Sequence, residues 1–158
     1  MPLLSGYPTG SHTATSVVDT EQKLPIGTRQ RDKNGNEYVY LKGVASTLAG
    51  SWVTFDEAGT TTLLAANAIG PVAVAQAAID ATTEYGWYCV YGSTSALLAA
   101  NCADNAKVGR ETTDGYAGDG RAAGDEIYGA ISRGSTAGAS ALTSVQINYP
   151  YVDDANGA

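Results

Sequence analysis

The chain has 158 residues, 16 of them acidic against nine basic, for a net charge of −7. That length suits one domain able to bury its own core without a disulfide scaffold or a structural metal. The acidity argues against DNA and RNA, whose binders cluster Lys and Arg against phosphates, and no run approaches the roughly 18 apolar residues of a membrane span.

Residues 1–24 read as an N-terminal arm: SGYPTGSHTATSVVDTEQ is polar, turn-rich and without period. The first 18 residues also lack the basic start and apolar run of a signal peptide. Two readings stand for the arm, disorder or ordering on a partner. Its apolar residues Leu3, Leu4, Tyr7, Val17 and Val18 are the candidate anchors for the second.

A β-rich domain is expected over residues 25–152, followed by a short tail, 153–158. Asn34-Gly35-Asn36 is a tight-turn signal between TRQRDK and EYVYLKG, so residues 26–42 read as a hairpin. Further strands are expected in SWVTFDE (51–57), GPVAVAQAAI (70–79), YGWYCVYG (85–92), DEIYGAISRG (125–134) and LTSVQINYP (142–150). TTLLAANAIG (61–70) and SALLAANCADNAK (95–107), which share LLAAN, are the only stretches that suit short helices. Segments 69–92 and 127–149 share a layout, a strand led by Ile and Gly, a loop of small residues and a second strand, which reads as a duplicated hairpin. Short strands at close intervals with Gly-rich turns point to an all-β, single-domain sandwich or barrel.

Alternation raises a question about faces. In YGWYCVYG, Trp87, Cys89 and Tyr91 share one side while Tyr88 and Val90 share the other. Both sides are bulky, as they are for Tyr38/Tyr40 against Val39/Leu41. The second side needs either another layer of the same chain or a neighbouring subunit. Because tyrosine is enriched at interface centres, Tyr88 and Tyr91 are the candidate subunit contacts. Arg29, Arg31 and Lys33 alternate along one presumed strand face, with Lys42 across the hairpin. They form either a solvated face or a stripe for an acidic patch on a neighbour.

Catalytic groups are scarce. His12, the only histidine, lies in the arm, and no GxSxG motif accompanies it. Asp56-Glu57, Asp125-Glu126 and Asp153-Asp154 are adjacent pairs, which point to opposite faces of a strand. The Asp32–Glu37 and Asp114–Gly120 loops share letters with calcium sites but read as turns. GDGRAAG (118–124) misplaces the third glycine of a dinucleotide fingerprint. Cys89 and Cys102 fit no metal spacing and read as buried free thiols, a disulfide between them being the alternative. The expectation is a protein that is not an enzyme and has no cofactor or metal.

LPIGTRQRDKNGNEYVYLKGVASTLAGSWVTFDEAG (24–59), IGPVAVAQAAI with YGWYCVYG (69–92) and DEIYGAISRGSTAGASALTSVQINYP (125–150) together resemble tailed-bacteriophage capsid decoration, or cement, proteins. The resemblance spans residues 24–150 and lies in hairpin pattern and Gly/Ala/Thr content; the length and the ten tyrosines depart from the small members. It implies a β-tulip-like domain that binds the outer surface of the major capsid protein lattice and stabilises the head, as a homotrimer or a dimer. It implies a protein made in the host cytoplasm and placed on the virion exterior, with no nucleic acid or membrane partner. The alternative is a tail, fibre or glycan-binding β module, with Trp52 or Trp87 as the sugar platform.

Overall fold

The computed structural model describes residues 14–120 and 124–153. They form ten strands and, among the described residues, no helix: β1 (Arg29–Arg31), β2 (Glu37–Lys42), β3 (Trp52–Phe55), β4 (Thr61–Leu63), β5 (Ile69–Ala75), β6 (Tyr85–Leu98), β7 (Lys107–Arg110), β8 (Ala117–Gly118), β9 (Glu126–Ser132) and β10 (Ala141–Asp153). The chain is an all-β, single-domain fold, as its turn-punctuated strands predict.

The strand pairings trace two closed rings that share β6. In the first, β2 pairs with β6, β6 with β5, β5 with β3 and β3 with β4. It closes where the Lys42 amide donates to the Gly59 carbonyl (3.0 Å) and the Thr61 hydroxyl to the Lys42 carbonyl (2.8 Å). In the second, β6 pairs with β10, β10 with β9, β9 with β7 and β7 with β8. β8 returns to β6 through the parallel pair Leu98–Ala117. Closing sheets on themselves leaves few free edges.

This architecture answers the question of faces. Val39, Leu41, Val53, Ala73, Ala75, Tyr88 and Val90 fill the first ring. The alternate residues, Tyr38, Tyr40, Trp52, Val74, Trp87 and Cys89, belong to a larger cluster that continues into the second ring through Leu98, Val108, Ala130, Val145 and Ile147. The chain therefore covers both sides of Trp87–Val90 itself. The Trp52 indole N–H donates to the Leu97 carbonyl (3.0 Å), tying a first-ring strand to the shared one.

The helix expectation is corrected in both places. Leu97 and Leu98 end β6, and Leu63 ends β4 with Leu64 buried next to it. Each LLAAN closes in a turn whose Asn takes a left-handed conformation, Asn67 at φ 60° and Asn101 at φ 61°, a geometry Asn tolerates. Ala and Leu favour helices, but eight consecutive β6–β10 pairs, from Tyr91 to Leu98, override that preference in the second copy. The duplicated-hairpin layout is present as two antiparallel strand pairs, β5–β6 and β9–β10.

The arm expectation is corrected in part. Asp19 and Tyr85 exchange two backbone hydrogen bonds (2.9 and 2.8 Å), and Val18 packs on the first-ring core. Residues 14–24 therefore lie against the domain rather than projecting from it. Leu3, Leu4, Tyr7 and His12 fall outside the described residues.

Candidate functional site

The β1–β2 hairpin brings together a dense polar cluster around Glu37 and Asp32. Register places Arg31 opposite Glu37 and Arg29 opposite Val39. Glu37 is buried, and its carboxylate accepts from Arg29 (2.7 Å), from Arg31 (2.9 and 3.0 Å) and from the Tyr149 hydroxyl on β10 (3.1 Å). Burial alone would raise its pKa, but the Arg29, Arg31 and Tyr149 hydrogen bonds outweigh it and hold the group below its ordinary value.

Arg29 and Arg31 are thus not a free basic stripe, because both pair with Glu37 and the three together carry a single positive charge. Lys33 stands apart from them, exposed in the turn. Arg29 and Arg31 stay about half exposed in these pairs, so the stripe is reduced in charge by Glu37 rather than buried. The signal for Glu37 was present in the hairpin register, since a turn over 32–36 sets Arg31 across from it.

Asp32 organises that turn. Its carboxylate accepts from the backbone N–H of Asn34 (2.8 Å) and Asn36 (3.0 Å), the Asn36 amide (2.9 Å) and the Tyr38 hydroxyl (3.0 Å). Four donors occupy both oxygens, so Asp32 is a turn staple and not a calcium ligand. Asp56 similarly caps its turn by accepting from Ala58 and Thr60. Asp125 and Glu126 face different cations, Arg110 (2.6 Å) and Lys107 (3.2 Å). Among the described residues no group of three or more His, Cys, Asp or Glu converges as a metal site.

Tyr88 is removed as a subunit contact, because its side chain is fully enclosed in the first ring. Tyr91 is 38% exposed. Pairing with β2 shifts between Glu37 and Tyr38, and Gly92 follows at φ 106°, where β6 leaves the first ring for the second. That pivot turns Tyr91 out of the core its alternation predicts. Trp52 and Trp87 are both buried, which removes them as sugar platforms.

Tyr91 instead meets Tyr149, itself 46% exposed, with ring centroids 5.4 Å apart, and the Arg31 guanidinium lies 5.9 Å from the Tyr91 ring centre. A second outward pair, Tyr128 and Tyr151, stacks at 5.0 Å further along β10. Beside Tyr91 runs a groove of about 350 Å³ lined by Asn34, Asn36, Ser93, Gln146 and Asn148 among others. A larger groove of about 600 Å³, over Thr54, Asp56, Glu57 and Ile69, is acidic.

At the start of β10 a different surface is exposed. Leu142 is 53% accessible and its Cδ2 lies over Gly50, at the end of the turn that carries Leu48, 49% accessible. Val17 is exposed beside the docked segment, whereas Val18 is half-buried. Both cysteines are free thiols, as the sequence suggested, and burial pushes Cys89 up to about 12. A thiol so placed is inert at neutral pH. No protein-family description, curated protein or solved structure matches the chain.

Proposed function

We propose that the chain is a virion structural protein, a head decoration protein that binds the outer surface of the major capsid protein lattice without catalysis. One observation carries this reading: a closed, self-covered two-ring core leaves large apolar side chains exposed at the Leu48/Leu142 end. A fold that already encloses both faces of its central strand gains nothing from apolar surface left in water. A rigid module with such a surface suits stoichiometric attachment. The ionisable groups support the same reading, since Asp32, Asp56, Glu37, Asp125 and Glu126 are each engaged in turns or ion pairs. The hairpin and composition resemblance supplies the particular partner.

The attachment end brings Leu48 and Leu142 to the capsid. Cosedimentation with undecorated phage heads tests this. Saturable binding at a fixed ratio to the major capsid subunit is expected, and the ratio separates trimers at three-fold sites from dimers. Leu48→Ser with Leu142→Ser should weaken binding at least about tenfold while leaving thermal unfolding nearly unchanged, both side chains being exposed. Deleting residues 1–13 should weaken attachment without disturbing the Asp19–Tyr85 bridge. A wild-type chain that does not sediment with heads overturns the reading.

A further inference from the structure

We infer that the groove beside Tyr91 is a binding site for a neutral saccharide. Three features built by different parts of the chain converge there: a positioned aromatic wall, a set of side-chain amides, and a lining without charge.

The aromatic wall comes from the β6 pivot. Gly92 at φ 106° permits it twice over, because a Cβ at this position would collide with the Asn36 side-chain oxygen. Tyr91 is held by Tyr149 at 5.4 Å and by Arg31, and both of those partners are anchored to Glu37. The ring is partly exposed yet already ordered, so little side-chain entropy is lost when a ligand packs on it. Aromatic walls of this kind suit the C–H face of a pyranose, which is apolar while its edge is hydroxylated.

The amides come from two elements. Asn34 and Asn36 are on the β1–β2 turn; Gln146 and Asn148 are on β10. Asn36 is fixed by donating to Asp32 (2.9 Å) and accepting from the Ser93 backbone (2.9 Å). The side-chain amides of Asn34 and Asn148 make no hydrogen bond among the described residues, leaving a donor and an acceptor free on each. Neighbouring hydroxyls of a sugar ring satisfy that combination, since each hydroxyl both donates and accepts.

Charge selects further. The groove lining has no Lys, Arg, Asp or Glu, and the two arginines nearby both direct their guanidinium groups to Glu37. A phosphate, carboxylate or ammonium would be desolvated there with no counter-charge in the lining itself. At about 350 Å³ the groove lies near the lower end of ligand clefts and matches a mono- or disaccharide. Its β10 residues, Gln146 to Asn148, lie in the middle of that strand, so the groove is distinct from the Leu142 surface.

The test is a ¹⁵N-resolved NMR titration of the whole chain with maltose, cellobiose, lactose and N,N′-diacetylchitobiose, against glucuronate and glucose 6-phosphate. At least one neutral disaccharide should produce saturable shifts at the Asn34 and Asn148 side-chain amides and the Ser93 backbone amide. Dissociation constants on the order of millimolar suit so shallow a groove. The two charged sugars should leave those signals in place. Tyr91→Ala should weaken binding at least about tenfold, and Asn148→Ala, on an exposed position, about threefold. Tyr128→Ala, in the other tyrosine pair, should leave the affinity unchanged. No saturable shift with any neutral disaccharide, equal binding by Asn148→Ala and Tyr128→Ala, or preference for the charged sugars overturns the inference.

Discussion

The two rings share β6 but are held together differently. The first packs Ile79, Val39, Leu41, Val53, Tyr88 and Val90 around Ala73 and Ala75. The second mixes Leu98, Val108, Val145 and Ile147 with Ala96, Ala117 and Ala130. It also encloses Ser132, whose hydroxyl donates to the Ala103 carbonyl (2.6 Å) and accepts from the Ala106 N–H (2.9 Å). Small interior residues let the loop that follows β6 approach closely, and a buried hydroxyl then satisfies its backbone. Both rings carry a hydroxyl staple, but Thr61 closes the first at its edge, whereas Ser132 sits inside the second and holds the loop after β6.

Truncation in each ring sharpens the contrast. Leu41→Ala should cost about 2–5 kcal/mol, because it removes a fully buried side chain where the ring cannot collapse. Ser132→Ala should cost less, about 1–3 kcal/mol, by stranding one backbone donor and one acceptor. Urea unfolding followed by tryptophan fluorescence reads both. Because the rings share β6, each variant should show a single transition at a lower midpoint. Two transitions in either variant would make the rings separate cooperative units and end the comparison as drawn. Hydrogen exchange should localise the Ser132→Ala effect to residues 103–106, while Leu41→Ala loosens the whole domain.

The Glu37 cluster joins the β1–β2 hairpin to β10, and it imposes a pH dependence. A carboxyl held below its ordinary value stabilises the fold fully above its unfolded pKa of about 4.3. That contribution is lost as pH falls through the lower, folded value. Glu37→Gln should therefore destabilise by about 1–2 kcal/mol near pH 7, reduced from a buried pair's worth because Arg29 and Arg31 are about half exposed. The gap to wild type should narrow below about pH 4. Thermal midpoints measured from pH 3 to 7 decide it, and a gap that stays constant with pH would show that Glu37 acts through packing instead.

How far this organisation was legible depends on whether local pattern or long-range pairing set each feature. Alternation placed Tyr38/Tyr40 and Val39/Leu41 on opposite sides correctly, and likewise Trp87/Cys89 and Tyr88/Val90, because a period of two is a property of the strand alone. Asn34-Gly35-Asn36 marked its turn through backbone preference, with Gly35 at φ 84°. Ring closure was not legible, since the β8–β6 contact is one residue pair between segments about twenty residues apart. The sequence marks Tyr91 as a candidate surface contact, but the shift in β2–β6 pairing that turns it outward was not legible. LLAAN misled because its composition favours helix while its partners, found only in the folded sheet, favour strand. Of the candidate site, Glu37 was recoverable from hairpin register, whereas the Asn34/Asn148 pairing across 114 residues was not.

The smallest effect is expected at Tyr88, and it separates the value of a ring from that of its hydroxyl. Tyr88 is enclosed in the first ring, and burial pushes its pKa up to about 12. Its hydroxyl makes no hydrogen bond of good geometry among the described residues, and the neighbouring Thr61 hydroxyl is donated to the Lys42 carbonyl (2.8 Å). Tyr40, equally buried on the opposite side of β2 from Val39, differs at that one group. Its hydroxyl donates to Asp19 (2.8 Å) and accepts from the Lys23 N–H (3.2 Å). Replacing a bonded hydroxyl leaves two partners unsatisfied, so Tyr40→Phe should cost about 1–2 kcal/mol. Replacing an unbonded one removes a desolvated polar group and keeps the ring, so Tyr88→Phe should be neutral or stabilising by under about 1 kcal/mol. Parallel urea titrations of the two variants measure the difference. If Tyr88→Phe lost as much as Tyr40→Phe, the Tyr88 hydroxyl would have to share Thr61 with Lys42, and the closure of the first ring would rest on a three-membered polar network rather than on two backbone contacts.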